Sequence, residues 1–475
     1  MKINYKTKIT VDRKFYVIDD ISNSIESDRG RIISSAAFRR LQNRTQVWSL
    51  ELNSAIRTRL THSLEVGQTA RYIAKTILKK IQVNGLEDQF ISIVEIASLL
   101  HDIGNPPFGH FAETTFDEWM SKNIEGIFSN VSTKTDEERA FKKLLIDDLS
   151  SFDGNAQAIR IIDKLQRYNL SYSQAGAVLK YTRGAFEKKP TKDDSLSYLK
   201  KKTGYYYSEK DYVETLCKTL EMKKGHRFPL TYVMEAADDI SYLTADLEDA
   251  VDKGIFDIHE LYELILKEDA LVNKDNDNDY FEEIVTRVYK YAIRDEEAYQ
   301  FDMFLTLLRA RLIGDLVRYV SDVYVDNHEE IFNGSFNHAL LEHDKNSKYL
   351  LASDVLRNIA IKHIYKHPSI EKLQIYMYKI INDLLNSYKS ILLLSTKDMN
   401  KLVNAQSIEN EQTMEIFNKL STKHIVVYKE SVEAINTDET MANKSSLELY
   451  YRVRLILDYI SGMTDDFALH EYENL

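Results

Sequence analysis

Five prolines and 15 glycines in 475 residues leave this chain few places to break a helix. Proline removes a backbone donor and clashes with the preceding turn, and glycine supplies the conformations that tight turns need. A chain poor in both, with two of its prolines adjacent at Pro106 and Pro107, is expected to run in helices rather than short strands. The expected fold class is mainly α. The length allows two or three average domains, or one large helical body.

The rest of the composition excludes several functional classes. A formal net charge of −12 argues against a protein that coats nucleic acid nonspecifically, and any phosphate must be met by a local group of cations. The single cysteine, Cys217, rules out an internal disulfide and fits the reducing cytoplasm, which is the expected location. The opening "MKINYKTKITVDRKFYV" has no apolar core of the kind a signal peptide carries. The apolar run "SILLLS" is far short of the roughly 18 residues of a membrane span, so no membrane partner is expected.

Along the chain, "GRIISSAAFRRLQNRTQ" (30–46) reads as one helix starting near Ser34 or Ser35. Thr61 is a candidate cap for the next helix, with Glu65 near the capping-box position. That helix carries Val66, Ala70, Ile73, Ile77 and Ile81 as one stripe and ends near Gly85. "FISIVEIASLL" (90–100) is apolar nearly all round, the pattern of a helix buried on most sides. Pro106 and Pro107 then demand a rigid loop, and a new helix is expected from Gly109 or His110. Residues 120–150, with the charged run "TKTDEERAFKKLLIDD", look like a peripheral insertion. Further on, "LTYVMEAADDISYLTADLEDAV" predicts a strong helix, and Phe304, Leu308, Leu312 and Val320 share the face of another.

The chemistry concentrates in "LLHDIGNPPFGHFAE" (99–113). A buried helix ends by delivering His101 and Asp102 into the interior, where unpaired polar groups are costly. Either this is a satisfied polar knot or it holds something that needs nitrogen and oxygen ligands together. His62 opens an amphipathic helix, Asp238, Tyr242 and Asp246 recur every four residues on one helix edge, and His110 and Glu113 share a face. Two imidazoles with two carboxylates suit Mn, Fe, Co, Ni, Zn or Mg better than copper(I) or an iron–sulfur cluster. Such an ion lowers the pKa of bound water and polarises a phosphorus centre.

The order of His62, His101–Asp102 and a later helical Asp resembles the HD-domain superfamily of metal-dependent phosphohydrolases. "SAAFRRLQNRTQV", "RTRLTHSLEVGQTARYIA", "LLHDIGNPPFGHFAE", "GNAQAIR", "LKYTRG" and "MEAADDISYLTADLEDAV" together resemble the bacterial dGTP triphosphohydrolases, in order from about residue 30 to residue 255. The resemblance implies an HD-type catalytic core over 1–255, with residues 256–475 forming additional helices packed on it. It implies cleavage of a deoxynucleoside triphosphate between the 5′ oxygen and the α-phosphorus, giving deoxynucleoside and inorganic triphosphate. The metal ligands implied are His62, His101, Asp102 and Asp238. Asp238 is preferred to Asp239 because the family's D-x-x-x-Y-x-x-x-D spacing fits Asp238, Tyr242 and Asp246.

His110, oriented by Glu113, resembles the family's catalytic pair, as an acid to the 5′ oxygen or as organiser of the attacking water. Arg59, Lys180, Tyr181, Lys201 and Tyr242 match phosphate-contacting positions, and Gln46, Asn155 and Asp246 complete the implied substrate contacts. The implied cofactor is a divalent ion, Mn or Mg, with Fe, Co, Ni or Zn as alternatives. The implied partners are the dNTP, copies of the chain in a tetramer or hexamer, and single-stranded nucleic acid or a nucleotide effector. Alternatives at this stage are a dNTP triphosphohydrolase of broad base specificity, another HD phosphohydrolase, or a nucleotide sensor.

Overall fold

The computed structural model describes residues 3–16, 20–51, 53–274, 278–437 and 443–475. Helix α1 (Ile21–Ile33) is capped by the Asp20 carboxylate and α2 (Ala36–Arg39) by the Ser35 hydroxyl. The one helix expected over 30–46 is thus divided, because Ser35 is extended and its side chain starts a second helix. Next comes α3 (Arg59–Leu78), opened by a capping box between Thr58 and Thr61. The cap therefore lies before the expected Thr61, and Glu65 pairs with Arg57 at 3.1 Å instead.

Helix α4 (Glu87–Leu100) is buried continuously from Ile93 to its end, as its all-round apolar character requires. The two prolines keep the chain out of helix until α5 (His110–Phe128) begins behind Gly109, whose φ is 59°. There follow α6 (Asp136–Leu149), α7 (Gly154–Arg160) and α8 (Tyr172–Val178), then two short parallel strands, β1 (Arg183–Gly184) and β2 (Thr203–Tyr205), with Arg183 opposite Thr203. Helix α9 (Lys210–Thr219) leads to α10 (Pro229–Asp252), which starts on a proline, where the missing N–H costs nothing.

The C-terminal part is helical throughout its described residues: α11 (Ile258–Val272), α12 (Tyr280–Ala292), α13 (Glu297–Asp326), α14 (His328–Asn333), α15 (Lys348–Ile359) and α16 (Pro368–Leu392). It ends with α17 (Thr396–Val403), α18 (Glu411–Asn418), α19 (Thr422–Thr437), α20 (Lys444–Ser461) and α21 (Asp465–Glu473). The fold is mainly α.

Two large hydrophobic cores hold these helices, and they do not part at residue 255. The first is built on α3, α4, α8 and α10, and it takes in α11 to α15 as well. The second joins α5 and α6 to α16 and the last five helices. Helix α16 bridges the two, with Ile370 in the first core and Met377 in the second. The charged segment read as a peripheral insertion is docked: Leu145, Ile146 and Leu149 of α6 lie in the second core. Asp148 of α6 is fully buried and 2.5 Å from Arg454 of α20. The charged pattern hid this because a solvated face and a buried ion pair draw on the same residue types.

Candidate active site

The end of α4 places His101 at the meeting point of three helices. Its Nδ1 donates to the Ser98 carbonyl at 2.7 Å, which leaves Nε2 as the ring atom aimed away from its own helix. That Nε2 is buried and has no hydrogen-bond partner. It lies 3.5 Å from Asp102 Oδ1 and 3.5 Å from Asp238 Oδ1 on α10. His62, on the first turn of α3, brings Nε2 to 3.3 Å from the same Asp238 oxygen. One donor atom each from His62, His101 and Asp102 lies within 4.8 Å of the others.

These residues suit a divalent cation. A buried imidazole nitrogen with no partner, its other nitrogen fixed by a backbone carbonyl, is how a metal-ligating histidine is held. Electrostatics agree: burial alone would lower the His101 pKa, but the Asp102 and Asp238 carboxylates override it and raise it to about 9. A position that favours a proton so strongly also favours a cation. Asp102 is held well below the ordinary carboxylate range despite its burial, by His101, Arg59 and His62. Asp238 is depressed likewise, first by Lys180, whose ammonium lies 3.0 Å from its Oδ2.

Both oxygens of Asp102 have donors already. Asn105 Nδ2 donates to Oδ1 at 2.6 Å and Arg59 Nη1 to Oδ2 at 2.7 Å. The loop between α4 and α5 is anchored from the far end of the chain. Asp465, at the start of α21, accepts from the Phe108 amide at 3.0 Å and from the Thr45 hydroxyl at 2.7 Å. Arg44 donates to the carbonyls of Met463, Ser461 and Asn105. The C-terminus thus ties the segment carrying Gln46 to the segment carrying His101 and Asp102.

These groups open onto a cavity of about 480 Å³, ample for a nucleotide. Gln46, Arg59, His62, His101, Asp102, His110, Asn155, Lys180, Tyr181, Asp238 and Tyr242 all line it. Gln46 presents a buried Nε2 with no partner. His110 is 72% exposed, and its Nδ1 lies 2.6 Å from Glu113 Oε2. Glu113 stands behind it rather than on the wall, its Oε1 taking the Gly154 amide at 2.8 Å.

Two expected contacts are elsewhere. The Lys201 ammonium sits over the Tyr198 ring, 3.9 Å from its centroid, and Lys202 lines the cavity instead. Asp246 is buried behind the wall and accepts a hydrogen bond from Tyr365, whose side chain does line it. Burial raises the Asp246 pKa to about 8, with Asp249 adding to it.

Sequence reasoning missed Tyr365 and the α16 residues Ile370, Gln374 and Met377, which carry no motif. The one available signal was a helical spacing of four and three, ordinary for any amphipathic helix. Asp239, passed over as a ligand, also faces the cavity, with burial raising its pKa to about 7.

Comparison with known proteins places the chain as a whole. Residues 59–168 match the HD domain and residues 389–474 the Phosphohydrolase-associated domain. The chain is 42% identical over 507 residues to the deoxyguanosinetriphosphate triphosphohydrolase of Yersinia pestis (strain Pestoides F), spanning 100% of this chain and 99% of that protein. It is 42% identical over 512 residues to the protein of that name from Klebsiella pneumoniae (strain 342), with the same coverage. An identity of this level over the whole length, with both family regions in place around a histidine–aspartate centre, makes this chain a member of the deoxyguanosinetriphosphate triphosphohydrolase family of HD-domain proteins.

Proposed function

We propose that this chain is a metal-dependent hydrolase of deoxynucleoside triphosphates, with dGTP as its substrate, giving deoxyguanosine and inorganic triphosphate. The observation that carries the reading is the convergence of His62, His101, Asp102 and Asp238 on one wall of a nucleotide-sized cavity that also holds His110 and the cations Arg59, Lys180 and Lys202. The ligand set assigned is His62, His101, Asp102 and Asp238, for Mn or Mg. When bound, the ion supplies Lewis-acid polarisation of a phosphate oxygen and a lowered water pKa.

The protein's own groups do the rest. Water adds to the α-phosphorus, the bond to the 5′ oxygen breaks, and that oxygen leaves with a proton. Glu113 fixes the His110 ring through Nδ1, and Nε2 is the atom that exchanges a proton with the reacting groups. Lys180, Lys202 and Tyr181 meet the triphosphate, which an acidic chain otherwise repels. Gln46 and Asn155 offer amides to the nucleoside, and Phe111, Ile370 and Met377 supply apolar surface. Assembly as a homo-oligomer and work in the cytoplasm belong to the same reading.

Incubation with each dNTP and Mn²⁺ or Mg²⁺, with products resolved as nucleoside, monophosphate and triphosphate, tests it. Deoxyguanosine and triphosphate in equal amounts are expected, with oxygen from labelled water in the triphosphate. Release of dGMP with pyrophosphate overturns the reaction, and equal kcat/KM for all four dNTPs replaces dGTP by the dNTP class.

A further inference from the structure

The turn Asp153–Gly154, at the start of α7, is where the two halves of the site touch. The Gly154 amide holds Glu113 Oε1 at 2.8 Å, and through Glu113 it sets the His110 ring. A Cβ on Gly154 would stand 2.1 Å from Asn105 Oδ1 and 3.0 Å from Glu113 Oε1. Asn105 is the residue that donates to Asp102. From the other side, a Cβ on Gly104 would meet the Gly154 carbonyl at 2.0 Å. A small displacement of this turn therefore moves the partner of His110 and the partner of Asp102 together.

What fixes the turn is a hydroxyl. Tyr206 Oη accepts from the Asp153 amide at 3.3 Å and donates to the Asp153 carbonyl at 3.2 Å. Tyr206 is fully buried, and the Arg454 guanidinium stacks on its ring, 3.4 Å from the centroid. Arg454, also fully buried, is held by Asp148 Oδ2 at 2.5 Å. Asp148 in turn takes the Tyr207 amide at 2.7 Å, next to Tyr206. Neither Tyr206 nor Arg454 lines the cavity.

We propose that Tyr206 is a positioning residue for the His110–Glu113 pair, locked by Arg454, so that helix α20 sets the geometry of the catalytic step from outside the cavity. This rests on the reading of His110 and Glu113 given above. The hydroxyl clamps the backbone of residue 153, the next amide along holds Glu113, and Glu113 holds His110. Asn155, assigned above to the nucleoside, lies on the same turn and bonds Asp153 Oδ1 through its backbone and side-chain nitrogens, so the path through Glu113 is identified by its coupling to Glu113 and not by KM.

The test is a double-mutant cycle on the full-length enzyme with Mn²⁺ and dGTP, using Tyr206→Phe and Glu113→Gln. Tyr206→Phe removes the clamp and keeps the ring under Arg454. It is expected to lower kcat about tenfold, the scale of a small misplacement of catalytic groups. In the Glu113→Gln background the same change is expected to cost nothing further, because the path it acts through is already cut. Unchanged kcat in Tyr206→Phe overturns the proposal, as does an equal loss in both backgrounds or a loss confined to KM. If Glu113→Gln itself keeps full kcat, the catalytic pair is wrong and the proposal falls with it. Should Tyr206→Phe fail to fold, Asp148→Asn, which slackens Arg454, must show a loss of kcat that vanishes in the Glu113→Gln background, and its absence overturns the proposal.

Discussion

Arg59 Nη1 donates to Asp102 Oδ2 at 2.7 Å, and both side chains are largely shielded from solvent. The other arm of the guanidinium reaches under Gly109, where a Cβ would stand 2.6 Å from Nη2. Arg59 therefore braces the loop between Asp102 and His110 before any phosphate arrives. Arg59→Gln is expected to weaken Mn²⁺ binding by about tenfold to a hundredfold, the usual effect of losing a partner that orients a ligand. Titration calorimetry reads this directly, and unchanged affinity would assign Arg59 to substrate alone.

On the proposed mechanism, His110→Ala removes the ring nitrogen assigned to proton exchange and leaves the four assigned ligands intact. Turnover of dGTP is expected to fall by at least about a hundredfold, with bound metal unchanged by elemental analysis. Activity within tenfold of wild type would exclude His110 from the chemistry.

In the reading proposed above the sugar lies beside Gln46, whose Nε2 is buried and unpaired, on a wall that includes Tyr365, fixed by Asp246. A ribose hydroxyl adds bulk there. GTP is expected to be at least about a hundredfold poorer than dGTP in kcat/KM, because a misfit leaves buried polar groups unpaired. Comparable values for the two would refute this.

Asp246 has a pKa raised to about 8 by burial, above the ordinary value of 3.8. Between those values the folded chain binds this proton more tightly than the unfolded chain. The stability it contributes is present below about pH 4 and is lost as pH rises towards about 8. Asp246→Asn imitates the protonated acid, so its melting temperature is expected to match wild type below about pH 4 and to exceed it by a growing margin up to about pH 8. A mutant that falls with pH as steeply as wild type would show that another group governs the loss.

Arg160 and Asp458 are both fully enclosed and meet in a two-pronged contact, with Nη2 2.6 Å from Oδ2 and Nε 2.7 Å from Oδ1. Gln157 adds a third bond to Asp458, and Glu209 shares Arg160. Asp458→Ala leaves the buried Arg160 with Glu209 as its remaining carboxylate and is expected to cost about 3–5 kcal/mol. Thermal or denaturant unfolding measures it, and a loss below 1 kcal/mol would mean that Glu209 alone suffices.

What the sequence made legible was local. The apolar run from Phe90 to Leu100, the prolines after it and the four-residue rhythm from Asp238 to Asp246 are each set by neighbours within a few residues, so periodicity reveals them. The Thr58 cap was misplaced by three residues because Thr58 and Thr61 both qualify, and only the extended backbone at Thr58 decides between them. Lys201 and Lys202 are adjacent in a turn leading into β2, where one residue of phase exchanges the cavity for the Tyr198 ring. Ile370, Gln374 and Met377 were invisible because their role comes from α16 crossing between two cores, a matter of long-range packing. Asp148 and Arg454 are separated by 306 residues, and nothing in either neighbourhood announces the other.

The bridging course of α16 has a mechanical consequence. Phe108, Met377 and the helix that starts at His110 belong to one core, while Ile370 and the helices that place His62 and His101 belong to the other. A nucleotide lodged between them is expected to act as a rivet across a seam, tying cohesion to occupancy. Protease resistance of the seam then reports on whether the cleft is filled, without any turnover being measured.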